Sequence, residues 1–323
     1  MNISFENGRV VTTGILCDEV PYDVSNNRIS VQFNGKSGIN SYLKINDKKF
    51  FEGLQVFKFF VNGEEIPFNT KKRVESVGRT QTVIYYSKLA RIKTVSVLNE
   101  TVNAIITKIE VTPKERISFD LGIFMVGAIS KHFTQLEDGS FNTPEKGFFF
   151  ASDAPFVGAG SNQSLYWHID ALDKAVSANI VYGFQINDIS DILENADKYI
   201  ASAFAEIDNI ALPESVRTEE DKALYYSAYF CALENYKEIG DFKGFMAGCR
   251  YIFPPRTYFR DSYFTVLCMY NGQTEKVRNE IIALSHAIGE NGDCPSAVVY
   301  DYSNHWGNLL TVLQCTLSWF TIT

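Results

Sequence analysis

The stretch Phe253-Pro254-Pro255-Arg256-Thr257-Tyr258-Phe259-Arg260-Asp261-Ser262-Tyr263-Phe264 decides how the rest of the chain is organised. Its two prolines bar an earlier helical start, because proline lacks the N–H and restrains the residue before it. The apolar run that follows predicts a helix over Asp261 to Tyr270, ended by Asn271-Gly272. Arg260 and Asp261 then stand at the helix mouth, where free N–H groups and the positive end of the dipole favour a carboxylate. Taken alone, Asp261 is an N-cap. The adjacent guanidinium and the surrounding rings open a second reading. An ionised carboxylate accepts from two vicinal sugar hydroxyls, while the neighbouring arginine keeps it ionised and donates to another.

Working towards the N-terminus, the helical period persists back to about residue 190. Leu193, Ala196, Ile200, Ala203 and Ile207 recur at three- and four-residue steps and predict an amphipathic connecting helix, stopped by Ala211-Leu212-Pro213. Thr218 caps the next helix, with Asp221 at its third position as a short capping box. The body of that helix, Ala223 to Tyr236, is apolar or aromatic nearly all round, as is Asp261 to Tyr270, so both are expected to be enclosed. A fourth helix runs from a Thr274 cap through Val277, Ile281, Leu284 and Ile288 to Gly289. Alternating enclosed and amphipathic helices is the pattern of a two-layer helical barrel.

Before residue 190 the period is two. Asn7-Gly8 separates Ile3–Phe5 from Arg9–Val11, and Asn62-Gly63 separates Val56–Val61 from Glu64–Phe68. Asn-Gly is a strong hairpin signal, since both central residues of a type I′ turn need positive φ. Thr82–Tyr86, Ile92–Leu98, Ala104–Val111, Ile117–Phe124 and Ile180–Phe184 continue the series. Many antiparallel strands in one region predict a large sandwich.

At 323 residues, 46% hydrophobic and 21% charged, the chain has a globular composition with room for a sizeable core. Its net charge of −8 gives no basic field for phosphate backbones or anionic lipid, so no nucleic-acid and no membrane partner is expected. The N-terminus shows no cationic stretch followed by an apolar one, and no eighteen apolar residues run together; the expectation is a soluble, unexported, cytoplasmic protein. Six cysteines without a C-x-x-C pair argue against a zinc knuckle or dithiol site and fit buried thiols in a reducing compartment. The 25 Phe, 17 Tyr and 3 Trp suit either a sugar cleft or a large sandwich core.

An Arg-Asp pair opening an inner helix, after a β-sandwich and a linker helix, resembles the six-hairpin glycosidases, which include glucoamylase-like and glycogen-debranching enzymes. Gly289-Glu290-Asn291-Gly292-Asp293-Cys294-Pro295-Ser296 resembles the family's Gly/Pro loop after the first outer helix. Tyr300-Asp301-Tyr302-Ser303-Asn304-His305-Trp306 resembles the next polar and aromatic loop, at the cavity mouth. The resemblance implies an N-terminal antiparallel β-supersandwich over 1–190, a linker helix over 191–216, and an (α/α)6 barrel begun over 217–323. It also implies that Arg260 and Asp261 hold the non-reducing-end sugar, with Tyr258 and Trp306 stacking on it. Glu290 is the one local candidate for the general acid. No metal and no cofactor is expected.

Each loop residue also has a plainer reading. Glu290 and Asp293 flank Gly292 as readily in a solvated turn, and Trp306 as readily belongs to a core. His305 has no Asp or Ser at a motif spacing. His132, His168 and His286 are isolated, and scattered histidines predict no metal cluster. The family's barrel needs more helices than fit before residue 323, and its acid and base come mostly from later ones, so the expectation is a truncated, inactive chain. The tail from Thr311 to Thr323 carries no helix cap. Back-translated from Leu310 and read in a shifted frame, it can give DSPSMYTFLVYDY, similar to the family's next inner helix, which predicts a frameshift near Leu310. The expected activity is hydrolysis of an α-linked oligosaccharide. The alternatives are a non-catalytic or decayed carbohydrate-binding protein, and a sugar phosphorylase or epimerase on the same barrel.

Overall fold

Asn7 and Gly8 take φ of 52° and 71°, and Asn62 and Gly63 take 52° and 79°, the pair of positive values that a tight hairpin turn requires. They belong to a computed structural model that describes all residues except 15–20, 45–48, 68–69, 126–132, 144–146, 159–163, 185, 249–255, 271, 291, 293–294, 296, 300–304 and 307–323. Side chains at 43–55, 125 and 305–306 are likewise outside the description. The tail and its expected frameshift, most of the 291–304 loops, and Phe253 to Pro255 therefore lie outside the described residues.

The β region comprises β1 (Asn2–Glu6), β2 (Arg9–Gly14), β3 (Tyr22–Ser25), β4 (Ile29–Phe33), β5 (Ile39–Lys44), β6 (Lys49–Val61), β7 (Glu64–Glu65), β8 (Lys72–Val77), β9 (Thr80–Tyr86), β10 (Ala90–Leu98), β11 (Ile105–Pro113), β12 (Ile117–Met125), β13 (Thr134–Gln135), β14 (Phe141–Thr143), β15 (Phe148–Ser152), β16 (Val157–Gly158), β17 (Ser164–Leu172) and β18 (Val176–Phe184). They form two antiparallel sheets. One runs β1-β2-β8-β9-β10-β11-β18-β15-β14-β13, and the other runs β16-β17-β12-β6-β5-β4-β3 with β7 paired to β6.

Strand β11 shows how period two sorts the faces. Ile105, Ile109 and Val111 turn into the main core, which also takes Phe57, Phe59, Phe119 and Leu121 from the facing sheet. On the opposite side of the strand, Ile106 lies under helices and Lys108 reaches Asp197 at 2.9 Å. The aromatic load is largely spent between the sheets: Tyr42, Phe148 and Phe184 meet edge to face at centroid distances of 5.0–5.1 Å, as do Phe59 with Tyr85 and Phe150 with Phe156 at 5.0 Å. Each such ring contributes about 1.5–3 kcal/mol by burial alone.

After β18 come α1 (Ile189–Glu194) and α2 (Ala196–Asp208), where the sequence predicts one helix. The break is at Asn195, whose side-chain amide donates to the Asp191 carbonyl at 2.9 Å and so competes with the backbone ladder. Ala196, Ile200 and Ala203 bury the expected stripe against Val95, Val97 and Val181 on the outer face of the larger sheet. Arg79, 2% exposed in its side chain, fixes this layer: it donates to the Ser25 carbonyl at 2.7 Å and pairs with Glu206 of α2 at 2.8 Å.

Helix α3 (Glu219–Asn235) begins with the predicted capping box, Asp221 N–H donating to the Thr218 hydroxyl at 3.0 Å and Thr218 N–H to the Asp221 carboxylate at 3.1 Å. It crosses two hairpin tips so closely that only glycine fits. A Cβ on Gly8 would lie 2.6 Å from the Tyr226 ring, and one on Gly78 2.9 Å from Phe230, and both glycines have positive φ. The chain continues through the hairpin β19 (Tyr236–Ile239) and β20 (Phe242–Phe245), then β21 (Arg256–Tyr258), α4 (Phe259–Met269), α5 (Thr274–Ser285), β22 (Ala297–Val299) and β23 (His305–Trp306).

Neither α3 nor α4 is enclosed as their composition predicts. Leu224 on α3 is 57% exposed, and Phe264 and Leu267 on α4 are 61% and 47% exposed. An apolar pattern records what a face would tolerate, not whether a neighbour covers it; here Tyr226, Phe230, Val266, Met269 and Val277 pack together and the opposite faces stay open. On α5 the buried set is Val277, Glu280, Ala283 and Leu284, while Ile281 is 38% exposed; the helix ends at Ser285, and Ile288 beyond it is 39% exposed. His168 is not isolated either: it lies between Asp120 at 2.5 Å and Asp170 at 2.8 Å, which raise its pKa. Among the described residues no helix is long and apolar enough to cross a membrane, and no cluster of His, Cys, Asp and Glu is arranged for a metal.

Candidate functional site

The Arg-Asp turn is set by what lies beneath it. Tyr258, in extended conformation with φ −120° and ψ 134°, precedes α4 without a side-chain cap, so the helix starts at Phe259 rather than at Asp261. Asp261 is thereby a residue of the first turn and not the N-cap. Phe259 is buried against Leu284, Ala287 and Val298, and Ser262, one helical step on, is also buried. These two hold the underside of the turn. Arg260 and Asp261 emerge between them, with side chains 68% and 45% exposed and paired Nε to Oδ1 at 3.3 Å. The first-turn position places the carboxylate near the positive end of the helix dipole.

Glu280 is the residue that composition-based reading passes over. It is wholly buried, and its carboxylate accepts from the Thr257 hydroxyl at 2.8 Å, the Phe245 N–H at 2.7 Å and the Ser262 hydroxyl. Burial pushes its carboxyl up, against the pull of those donors. One side chain of α5 thus fastens β20, β21 and α4 together. The signal was present in the sequence: Glu280 stands three residues after Val277 and four before Leu284, a charge on the apolar stripe.

The remaining candidates reach this region by register. Arg256–Tyr258 pairs antiparallel with Val299–Ala297, and Ala297–Val298 pairs with Trp306–His305, so Tyr258, Ala297 and Trp306 occupy one rung of a three-stranded sheet. The backbone therefore brings Tyr258 and Trp306 to one level, two strands apart, immediately before the Arg260–Asp261 turn. The side chain of Trp306 is outside the described residues. Glu290 is exposed, in the turn closed by Gly292 N–H to the Gly289 carbonyl at 2.8 Å.

A cavity of about 410 Å³ lies elsewhere, between β3 and α3, with none of Tyr258, Arg260, Asp261 or Glu290 in its wall. At its back stands Glu234, a second buried carboxylate that the sequence reading did not single out. It follows Tyr226 and Phe230 at steps of four, so it too marks a charge on a buried helix face.

No family model and no curated protein matches the chain. Among solved structures it is similar to a candidate kojibiose phosphorylase from human microbiome, at 9% identity over 92% of this chain and 52% of that one, with a TM-score of 0.53. It is similar also to a bacterial glucoamylase complexed with acarbose, at 11% identity over 95% of this chain and 55% of that one, with a TM-score of 0.54. The chain spans about half the length of each. At these identities the likeness is one of fold: a β-sandwich followed by a partial helical region, in the arrangement these two structures have over the matched part.

Proposed function

We propose that the chain is a carbohydrate-active protein that binds the end of an α-linked oligosaccharide at the first turn of α4. The observation that carries this reading is the fold likeness over at least 92% of the chain to structures named as a kojibiose phosphorylase and a glucoamylase. Under it, α3, α4 and α5 are the opening helices of an (α/α)6 barrel. The Asp261 carboxylate accepts from two vicinal hydroxyls of the terminal sugar. Arg260, paired with that carboxylate, donates to a further hydroxyl, and Tyr258 and Trp306 stack against the ring. The sandwich spans 1–190 and the linker 191–216 in this scheme. The net charge of −8 leaves nucleic acid and anionic lipid outside its partners, and the exposed free thiols of Cys231 and Cys268 suit a cytoplasmic setting.

Cleaving a glycosidic bond requires two carboxyl groups across it, about 6.5–9.5 Å apart in an inverting enzyme. Glu290 is the candidate acid, since it is exposed beyond the end of α5, whereas Glu280 is held by its three donors and is unavailable to substrate. That locked carboxylate favours a second reading, in which the turn binds sugar without breaking a bond. Titrating maltotriose and acarbose into the protein by calorimetry tests the site. Asp261→Asn and Arg260→Ala are each expected to weaken binding at least tenfold without lowering the thermal midpoint. Binding unaffected by either substitution, or no binding, rejects the reading. Release of free glucose from maltotriose, of a sugar phosphate in the presence of phosphate, or of neither separates hydrolase, phosphorylase and binding protein.

A further inference from the structure

The cavity between β3 and α3 has a chemistry of its own. Tyr22, Val24 and Phe230 form part of its wall, and Ser30, Ser227, Glu234 and Asn235 supply the polar lining. Glu234 is 8% exposed; one carboxyl oxygen accepts from the Ser25 N–H at 3.1 Å, and the other has no donor among the described residues. A carboxyl oxygen that faces a cavity and takes no protein donor is a place where a ligand hydroxyl would complete the bonding.

The groups around Glu234 determine what that ligand is. Arg79, at the turn between β8 and β9, is engaged by Glu206, Glu100 and the Ser25 carbonyl. The Lys237 ammonium, on β19, bonds the Glu234 backbone carbonyl. Asp23 accepts from Gln32 at 3.0 Å, the Tyr22 hydroxyl donates to the Gly78 carbonyl at 2.6 Å, and Cys231 stands one turn earlier on α3. Burial outweighs Arg79 and Lys237 and pushes the Glu234 carboxyl up to about 8, so at neutral pH it is an acid that can both donate and accept. The Ser30 and Ser227 hydroxyls also do both. The Asn235 amide nitrogen donates to the Cys231 carbonyl at 2.9 Å, which leaves its oxygen as an acceptor.

A phosphate would find both nearby cations already engaged, and a metal ion would find no group of three His, Cys, Asp or Glu side chains to hold it among the described residues. A hydroxyl-bearing ring has the matching pattern: groups that donate and accept around its edge, and a C–H face for Tyr22. The volume is at the small end of ligand pockets, suited to one ring rather than a chain of them. We propose that the β3–α3 cavity is a monosaccharide-binding site, with Glu234, Ser227 and Ser30 bonding the sugar hydroxyls and the half-buried Tyr22 beside its apolar face. The site is separate from the α4 turn and does not depend on the reading given to that turn. Its occupant would touch the sandwich and α3 together, and so stabilise their packing in proportion to occupancy.

The test uses the whole chain and D-glucose as probe, with inorganic phosphate and ethanolamine as charged controls, followed by saturation-transfer NMR and thermal midpoint. Ser227 is exposed on α3, so Ser227→Trp fills the mouth of the cavity without entering the core. Glucose is expected to bind and raise the midpoint, Ser227→Trp to weaken it at least tenfold, and Asp261→Asn to leave it unchanged. Affinity of the parent protein should change as pH rises through about 8, where Glu234 ionises, while Glu234→Gln, whose amide does not titrate, should bind equally at both ends of that range. The proposal is overturned by no glucose binding, by binding indifferent to Ser227→Trp, by binding lost in Asp261→Asn, by a pH profile that Glu234→Gln does not flatten, or by preferential binding of phosphate or ethanolamine.

Discussion

The hydroxyl of Thr257, at the centre of β21, donates to the carboxylate of Glu280, 23 residues further along the chain in α5, at 2.8 Å. The same carboxylate takes the Ser262 hydroxyl and, on its other oxygen, the Phe245 N–H at 2.7 Å. The Arg260–Asp261 pair lies between Thr257 and Ser262 in sequence, so the exposed turn is clamped from both sides by one buried group.

Replacing that group with an amide should show the clamp. In Glu280→Gln, an NH₂ facing the Phe245 N–H leaves that donor without an acceptor, and one facing the two hydroxyls makes them turn from donors into acceptors and rearranges the bonds at Thr257 and Ser262. The expected cost is about 1–3 kcal/mol, measured by urea unfolding. Gly244→Ala should be destabilising through the same contact, because a Cβ there would collide with the Glu280 carboxylate and lie 2.9 Å from the Phe242 ring. Parental stability in both variants would show that the carboxylate clamps nothing.

Glu234 and Glu280 also fix how stability depends on pH. An unfolded glutamate gives up its proton near 4.5, whereas folded Glu234 keeps its own to about 8 and folded Glu280 is shifted the same way. Across that interval the folded state binds more protons than the unfolded one, so stability falls as pH rises from about 5 to about 8 and then levels. Glu75, Asp138 and Asp221 are shifted down and act with the opposite sign, losing their contribution as pH falls below that range. Glu234→Gln should flatten the slope above pH 5, by an amount on the order of a few kcal/mol, and leave the part due to Glu280. Urea midpoints at several pH values measure it; an unchanged slope would mean that Glu234 ionises normally.

Those two carboxylates show where the sequence stops being legible. The turns at Asn7-Gly8 and Asn62-Gly63, the Thr218–Asp221 box and the stripe from Ala196 to Ile207 are local, and each can be read from a few neighbouring residues. The start of α4 was misplaced because two prolines mark where a helix cannot begin, whereas Tyr258 stays extended through pairing with Ala297, about forty residues away. Glu234 and Glu280 occupy apolar stripes, and only the tertiary neighbours Ser25 and Thr257 reveal what a charge does there. Exposure of Leu224 and Phe264 is likewise a property of neighbours. For the site, the sequence supplied the Arg260–Asp261 pair, and strand register supplied the rung shared by Tyr258 and Trp306.

The capping box of α3 carries a separate expectation. Thr218 satisfies the Asp221 N–H, and Asp221 returns a bond to Thr218, at the start of the helix that rests on Gly8 and Gly78. Thr218→Ala should destabilise the protein by about 1 kcal/mol, and Thr218→Ser by much less. Chemical denaturation distinguishes them; equal stability of the two would assign the helix start to tertiary packing alone.

The open faces of α3 and α4 predict self-association. Phe264 and Leu267 are one helical step apart on α4 and are 61% and 47% exposed; Tyr270, one step further, is 54% exposed. Leu224, on the neighbouring α3, is 57% exposed. Apolar side chains left open on neighbouring helices favour association, because water is released when they are covered. Sedimentation velocity over a range of protein concentration should therefore show a rising weight-average mass. The double variant Phe264→Glu, Leu267→Lys should suppress that rise while changing stability little, since both side chains already face solvent. Association that persists in this variant would have to use another surface, and the exposed strand residues Tyr86 and Val157, at 42% and 62%, would be the next pair to substitute.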